Sequence, residues 1–203
     1  MVVKRDILFN DNYFYFQGFM PRNDKINFEK IILDDHQFME KDLAETNHEY
    51  KQPIAYFLIA DKELKKAFLY QRAIRDEEYA EKRLQGKLSI GLGGHIEKSD
   101  KRDNPILHSM LRELDEEVEG FVPDSNPEIL GYINDDVDDV GKVHFGLLYA
   151  FSTNSHRVYP KDKEIKKGGL IKLEGIRRLF SSDKYIIEGW SKIALKPLEE
   201  LLK

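Results

Sequence analysis

The spacing of apolar positions changes several times along the chain, and each change marks an expected element. The first fifty residues are mixed and rich in aromatics, with short strands expected at 7 to 9 and 13 to 19 before a charged stretch that ends near His48. After Pro53, the run IAYFLIA (54 to 60), the charged turn Asp61 to Leu64 and the run KKAFLYQRA read as a β-hairpin. Residues 74 to 87 are highly charged and read as an exposed loop or short helix, and KLSIGLGGHIE then reads as a strand running into glycines. Ile106, Leu107, Met110, Leu111, Leu114 and Val118 recur at spacings of three and four, which gives a helix over 104 to 118 one apolar face. Asn104 is its expected N-cap, Pro105 occupies the tolerated first helical position, and Gly120 ends it.

Further on, EILGYIND and KVHFGLLYAFS flank the acidic stretch DDVDDVG and read as a second hairpin around a solvated turn. Lys172 to Phe180 fits neither period cleanly. Tyr185 to Leu202 reads as a closing helix that buries Trp190, Ile193, Leu195, Leu198 and Leu201. Strands and helices in this order imply an α/β (α+β) protein with a mixed sheet between helices. The division expected is an extension, 1 to 50, packed on a main domain, 51 to 203.

Composition narrows the chemistry. The chain has 203 residues, 41% of them hydrophobic, enough apolar material for a core, and no apolar run of the roughly 18 residues a bilayer crossing needs. Charged and polar residues interrupt the opening segment before a signal-peptide core develops, so a cytoplasmic location is expected. With no cysteine, disulfides, thiolate nucleophiles and cysteine-held zinc all drop out. A formal charge of -5 argues against a nucleic-acid polymer as partner.

Arg112-Glu113-Leu114-Asp115-Glu116-Glu117-Val118-Glu119 places five carboxylates in eight residues, away from the leucine stripe. Glu113 stands three residues from Glu116 and four from Glu117, so the three share one face and repel each other. At about 5 Å and an effective dielectric near 20, each pair costs on the order of 3 kcal/mol before salt screening. A bound cation reverses that sign, and an all-oxygen set suits Mg²⁺ or Mn²⁺. A solvated acidic face is the alternative reading. Upstream lies Gly91-Leu92-Gly93-Gly94-His95-Ile96-Glu97, where glycines let backbone approach a ligand and free a carbonyl. It lacks the Gly-Lys-Ser/Thr ending of a P-loop, and no GxGxxG is present.

Together, Gly93-Gly94-His95-Ile96-Glu97 and the helix bearing Arg112-Glu113-Leu114-Asp115-Glu116-Glu117 resemble the signature of the Nudix (MutT-like) hydrolase family. In that pattern Gly94 fills the glycine position and Asp100 falls where the first glutamate belongs. Eleven residues, Lys101 to Leu111, replace the usual seven before Arg112, and one extra residue precedes Gly120. The Arg-Glu-Leu-x-Glu-Glu register is intact. The resemblance implies a Nudix-type α/β/α sandwich and a divalent-metal-dependent phosphoanhydride hydrolase, a pyrophosphohydrolase. Its substrate would be a nucleoside diphosphate linked to another moiety or a similar small phosphorylated molecule. It also implies Glu113, Glu116 and Glu117 as Mg²⁺ (or Mn²⁺) ligands with the Gly94 carbonyl, and Arg112 pairing with and orienting a helix carboxylate. Glu116 or Glu117 would accept the proton of the attacking water; in parts of the family the base lies on a later loop, which brings in Glu164, otherwise a charged loop residue.

Arg72, at the end of FLYQR, and His95 and His144, at expected strand ends, are candidates for substrate contact, against a surface ion pair and structural histidines. A catalytically silent Nudix-fold nucleotide-binding or regulatory protein is the alternative function. Isoprenoid diphosphate isomerisation, known on a related fold, needs a cysteine that is absent. The aromatics near the N-terminus raise a homodimer through the extension as a further expectation.

Overall fold

Secondary structure in the computed structural model follows the strong local signals and departs from the weak ones. The structure describes residues 1–72, 86–100, 103–155, 157–161 and 165–203. Its elements in chain order open with β1 (Val3–Lys4), α1 (Arg5–Phe9), β2 (Gly18–Pro21), α2 (Phe28–Asp35) and α3 (Lys41–Ala44). The hairpin follows as β3 (Tyr50–Asp61) and β4 (Lys66–Arg72), then β5 (Leu88–Ser89) and β6 (Gly91–Leu92). Next come α4 (Pro105–Glu117), β7 (Val118–Glu119), β8 (Glu128–Asn134), α5 (Asp139–Val143) and β9 (His144–Ser152). The chain closes with β10 (Tyr159–Pro160), β11 (Ile165–Lys172), α6 (Leu173–Phe180) and α7 (Gly189–Leu201). Among the described residues no helix is long and apolar enough to cross a membrane.

The chain forms two compact units. The first comprises Met1–Tyr56, Gly93–Arg112 and Ile129–Tyr149; the second comprises Phe57–Leu92, Glu113–Glu128 and Ala150–Lys203. In the first, β1 pairs antiparallel with the start of β3, and β2 pairs antiparallel with β8, Gly18 opposite Asn134 and Pro21 opposite Gly131. Phe9 meets Phe28 and Phe145 edge-to-face, Phe28 and Phe145 are tilted against each other, all with centroids 5.1 to 6.1 Å apart, and Tyr132 joins edge-to-face at 4.8 Å from Phe28. Phe9 and Phe28 of the first fifty residues are thereby buried against Tyr132 of β8 and Phe145 of β9, while Tyr13 and Tyr15 stay exposed.

In the second unit, β4 is flanked by β3 and β11, both antiparallel to it, with a bulge between Ile165 and Lys167. Tyr70 donates its buried hydroxyl to the Gly91 carbonyl at 2.9 Å. Ser191, on the buried face of α7, accepts from the Ile90 N–H at 3.0 Å, so one hydroxyl ties α7 to the backbone between β5 and β6. Strands β3 and β9 run the same way: Lys51 lies beside His144 in the first unit, and Thr153 donates to the Ala60 carbonyl in the second. Parallel β3–β9 and antiparallel hairpins together make the expected mixed sheet.

Four expectations are corrected. Residues 7 to 9 are helical where a strand was expected, and Asn10, Asp11 and Asn12, all at left-handed backbone angles, end α1 and turn the chain. Strand β2 begins only at Gly18, after the turn this run creates. The acidic stretch is not a solvated turn: Asp138 caps α5 through the Gly141 N–H, and Asp136 is paired with Arg5 and with the fully buried ammonium of Lys51 at 2.6 Å. In the closing helix, which starts four residues later than expected, Ser191, Ala194, Pro197 and Leu198 are the buried positions, while Trp190, Ile193, Leu195 and Leu201 are half-buried, because the face turned inward is the one on which Ser191 binds the Ile90 N–H. The charged segment 74 to 85 lies outside the described residues.

Lys51 spends its three protons on Asp136, the Gly141 carbonyl at 2.8 Å and the His144 carbonyl at 3.1 Å. Removing one partner of a buried pair leaves an uncompensated charge. Asp136→Asn is therefore expected to cost about 3–5 kcal/mol in urea unfolding. Lys51→Met, which leaves Asp136 its Arg5 partner, should cost less; the reverse order would refute the assignment.

Candidate functional site

Helix α4 begins as its sequence dictates. Asn104 accepts the Leu107 N–H at 3.1 Å and Pro105 opens the first turn, while Ile106 and Met110 are buried. Seven of the eleven residues between Asp100 and Arg112 lie in this helix. The excess of four over the family spacing is close to one turn of 3.6 residues, so Arg112 returns to the same side of the helix.

Arg112 meets Asp100 as a bidentate pair, Nε to Oδ1 and Nη2 to Oδ2, both at 3.0 Å. The same Nη2 donates to the His95 carbonyl at 3.0 Å. Asp100 is buried and also accepts the Glu97 N–H at 2.9 Å. Burial works to raise the Asp100 pKa, but the hydrogen bonds from Arg112 and the Glu97 amide outweigh it and hold the carboxyl below its usual value. The shorter acid at the first-glutamate position thus has a definite partner.

Just upstream, the glycine whose backbone is irreplaceable is Gly93, at φ +131°, where an added Cβ would come within 2.0 Å of the Ala55 carbonyl oxygen. Gly120, past the helix end, sits at φ +74° with the Arg157 carbonyl 1.9 Å from any Cβ. Gly93, the residue before the motif glycine Gly94, and Gly120 are therefore fixed by contact with neighbouring backbone.

His95 bridges to Ile54, and His144 opens β9; their Nε2 atoms are 3.0 Å apart. Glu45, just past α3, brings Oε1 to 3.5 Å from His95 Nε2 and 3.8 Å from His144 Nε2. His144 Nδ1 donates to the Val140 carbonyl at 2.7 Å, which leaves Nε2 as the lone-pair nitrogen of a neutral ring. Burial pushes the His144 imidazole down to about 4, against the opposing hydrogen bond to Val140. The hydrogen bond with His95 first, and the charge of both imidazoles after it, bring Glu45 down to about 2 despite its burial. Sequence reasoning singled out both histidines and missed Glu45, which stands in a charged stretch with no motif.

The remaining candidates are placed as follows. Gly94, His95, Arg112 and His144 belong to the first unit; Arg72, Glu113, Glu116 and Glu117 belong to the second. Arg72 ends β4 opposite Ile165, its guanidinium 5.5 Å from the centre of the Tyr70 ring. Glu113 and Glu117 are half-buried and Glu116 is exposed. Glu164 lies outside the described residues.

Comparison with known proteins settles the lineage. The chain is 32% identical over 206 residues to Protein YmaB of Bacillus subtilis (strain 168), covering 98% of this chain and 96% of that protein. It is similar, at TM-score 0.78 and 29% identity over 98% of this chain and 97% of the other, to the crystal structure of Tm1382, described as a candidate Nudix hydrolase. The chain belongs to the Nudix hydrolase family. The Nudix domain of Shewanella oneidensis NrtR, complexed with ADP ribose, shares the fold at TM-score 0.55 and 14% identity, over 86% of this chain and 99% of that one. No family model matches the chain. This Nudix chain departs from the family pattern in the spacing around Asp100 and Gly120, while the Arg-Glu-Leu-x-Glu-Glu register is kept.

His144 carries a pH signature. Its folded pKa of about 4 lies below its ordinary 6.5, so between those values the unfolded chain binds the extra proton. Stability is full above pH 6.5 and falls toward pH 4, by up to roughly 1.4 kcal/mol per unit. Urea midpoints at pH 7.5, 6 and 5, in EDTA, should fall in that order for the wild type and less steeply for His144→Gln. A flat wild-type profile would contradict a buried neutral imidazole.

Proposed function

We propose that this protein hydrolyses a phosphoanhydride in a small phosphorylated molecule, of the class of a nucleoside diphosphate linked to a second moiety, with a divalent cation bound at α4. The observation that carries the reading is the Asp100–Arg112 pair, which ties the first-acid position of the motif to the helix despite the lengthened spacing between them. The ADP ribose bound by the Nudix domain of NrtR supports the substrate class.

The donor set fits a hard cation: Glu113, Glu116 and Glu117, all of the second unit, offer only carboxylate oxygens. Mg²⁺ or Mn²⁺ held there would supply charge neutralisation at the bridging and leaving oxygens. The chain's own part is positional and acid–base. Arg112, held by Asp100, fixes the third turn of the helix, from which Glu113 projects. Glu116 or Glu117 accepts the proton of the attacking water, with Glu164 the base if the later loop supplies it. Arg72, His95 and His144 are the candidates for contact with substrate phosphate.

The test is a phosphate-release screen across nucleoside diphosphate derivatives with Mg²⁺ or Mn²⁺, with EDTA, and with Glu117→Gln. A metal contribution of several kcal/mol makes the expected loss in kcat on the order of 10²–10³-fold for both treatments. Turnover that persists in EDTA, or that Glu117→Gln leaves unchanged, would reject the metal mechanism. Asp100→Asn should lower kcat by about tenfold or more through the loosened Arg112.

A further inference from the structure

The cluster of Glu45, His95 and His144 joins two histidines proposed above to meet substrate to a carboxylate that the proposed reaction does not use, and its chemistry differs from that of a hard-cation site. Three groups from segments about fifty residues apart in sequence bring one ligand atom each to a common point, all within 4.8 Å of one another. The triangle has edges of 3.0, 3.5 and 3.8 Å. A point about 2.0 Å from all three atoms lies among them, matching the roughly 2.0–2.1 Å of zinc–imidazole and zinc–carboxylate bonds.

The proton inventory points the same way. His144 gives its Nδ1 proton to Val140, so its Nε2 is a lone pair. Glu45 is an acceptor, and His95 Nε2 faces both with at most one proton to share. A cation at the common point satisfies all three at once. The second sphere that orients such ligands is present. Val140 fixes the His144 tautomer, Lys51 holds the His144 carbonyl at 3.1 Å, Arg112 holds the His95 carbonyl at 3.0 Å, and Gln52 Nε2 stands 3.4 Å from His144 Nε2. The two rings meet through their Nε2 edges, centroids 5.2 Å apart and planes at 59°. A small rotation opens the 3.0 Å separation toward the roughly 3.3 Å of a tetrahedral site.

We infer that Glu45, His95 and His144 form a second metal site, selective for a Zn²⁺-class transition ion over Mg²⁺, with a water completing four-coordination. Two imidazoles and one carboxylate are the donors such an ion selects. The ion would clip the segment after α3 and the start of β9 to the residue that follows Gly94.

The test uses the full, tag-free chain in millimolar Mg²⁺, which occupies oxygen sites and competes poorly for imidazole. Zn²⁺ is titrated by calorimetry, and Co²⁺ serves as an optical probe of geometry. The wild type should bind one Zn²⁺, show visible Co²⁺ absorption of a four-coordinate site, and unfold at a higher temperature with Zn²⁺ than with EDTA. His95→Ala and Glu45→Gln should each weaken Zn²⁺ at least about tenfold and remove the Co²⁺ spectrum, with circular dichroism unchanged. Glu117→Gln, aimed at the acidic helix, should leave both intact. No stoichiometric Zn²⁺ on the wild type, or binding that survives both His95→Ala and Glu45→Gln, would overturn the site.

Discussion

A cation taken out of water must be surrounded by oxygen, and in the first unit of this protein that requirement is met twice. Lys51 is fully buried and Arg112 half-buried, each is paired with a carboxylate, and each uses a remaining proton on the backbone carbonyl of a histidine. Because a buried charge tolerates no missing partner, these contacts set backbone position more strictly than apolar packing alone would. The meeting of His95 and His144 is the product of two ion pairs that lie elsewhere in sequence, at Asp136 and Asp100.

What could be read from the sequence divides along the same line. Helix α4 and the β3–β4 hairpin were legible because their signals are local: a capping asparagine, a first-turn proline, a stripe at three and four, two β-rich runs around a polar turn. The Arg-Glu-Leu-x-Glu-Glu register was legible because the family pattern is itself a helix period. Glu45 was not, since its partners stand fifty and ninety-nine residues away and nothing near it in the chain marks it. The strands expected near the N-terminus failed for a related reason: three successive residues with left-handed angles turn the chain after Phe9, and aromatic packing on Phe145 rewards the turn. Asp136 reads as a surface charge in the sequence because its burial depends on Lys51 arriving from another strand.

Two glycines, one just before the motif glycine and one at the end of the helix, show a different kind of constraint. Gly93 and Gly120 are each pressed against a carbonyl of a distant segment, so their role is to admit a neighbour's backbone. The resemblance puts Gly94 at the motif's glycine position, and in the fold it is the preceding Gly93 whose space is claimed by Ala55.

The extra residues ahead of Arg112 carry a rule about which relatives of this chain can exist. A helix turns by about 100° per residue, so lengthening or shortening it by four brings every later side chain back to nearly its former heading, whereas a change of two swings them round by about 200°. Length variation between Asp100 and Arg112 is therefore quantised in whole turns wherever the added residues join α4, and homologues should differ there by steps of three or four.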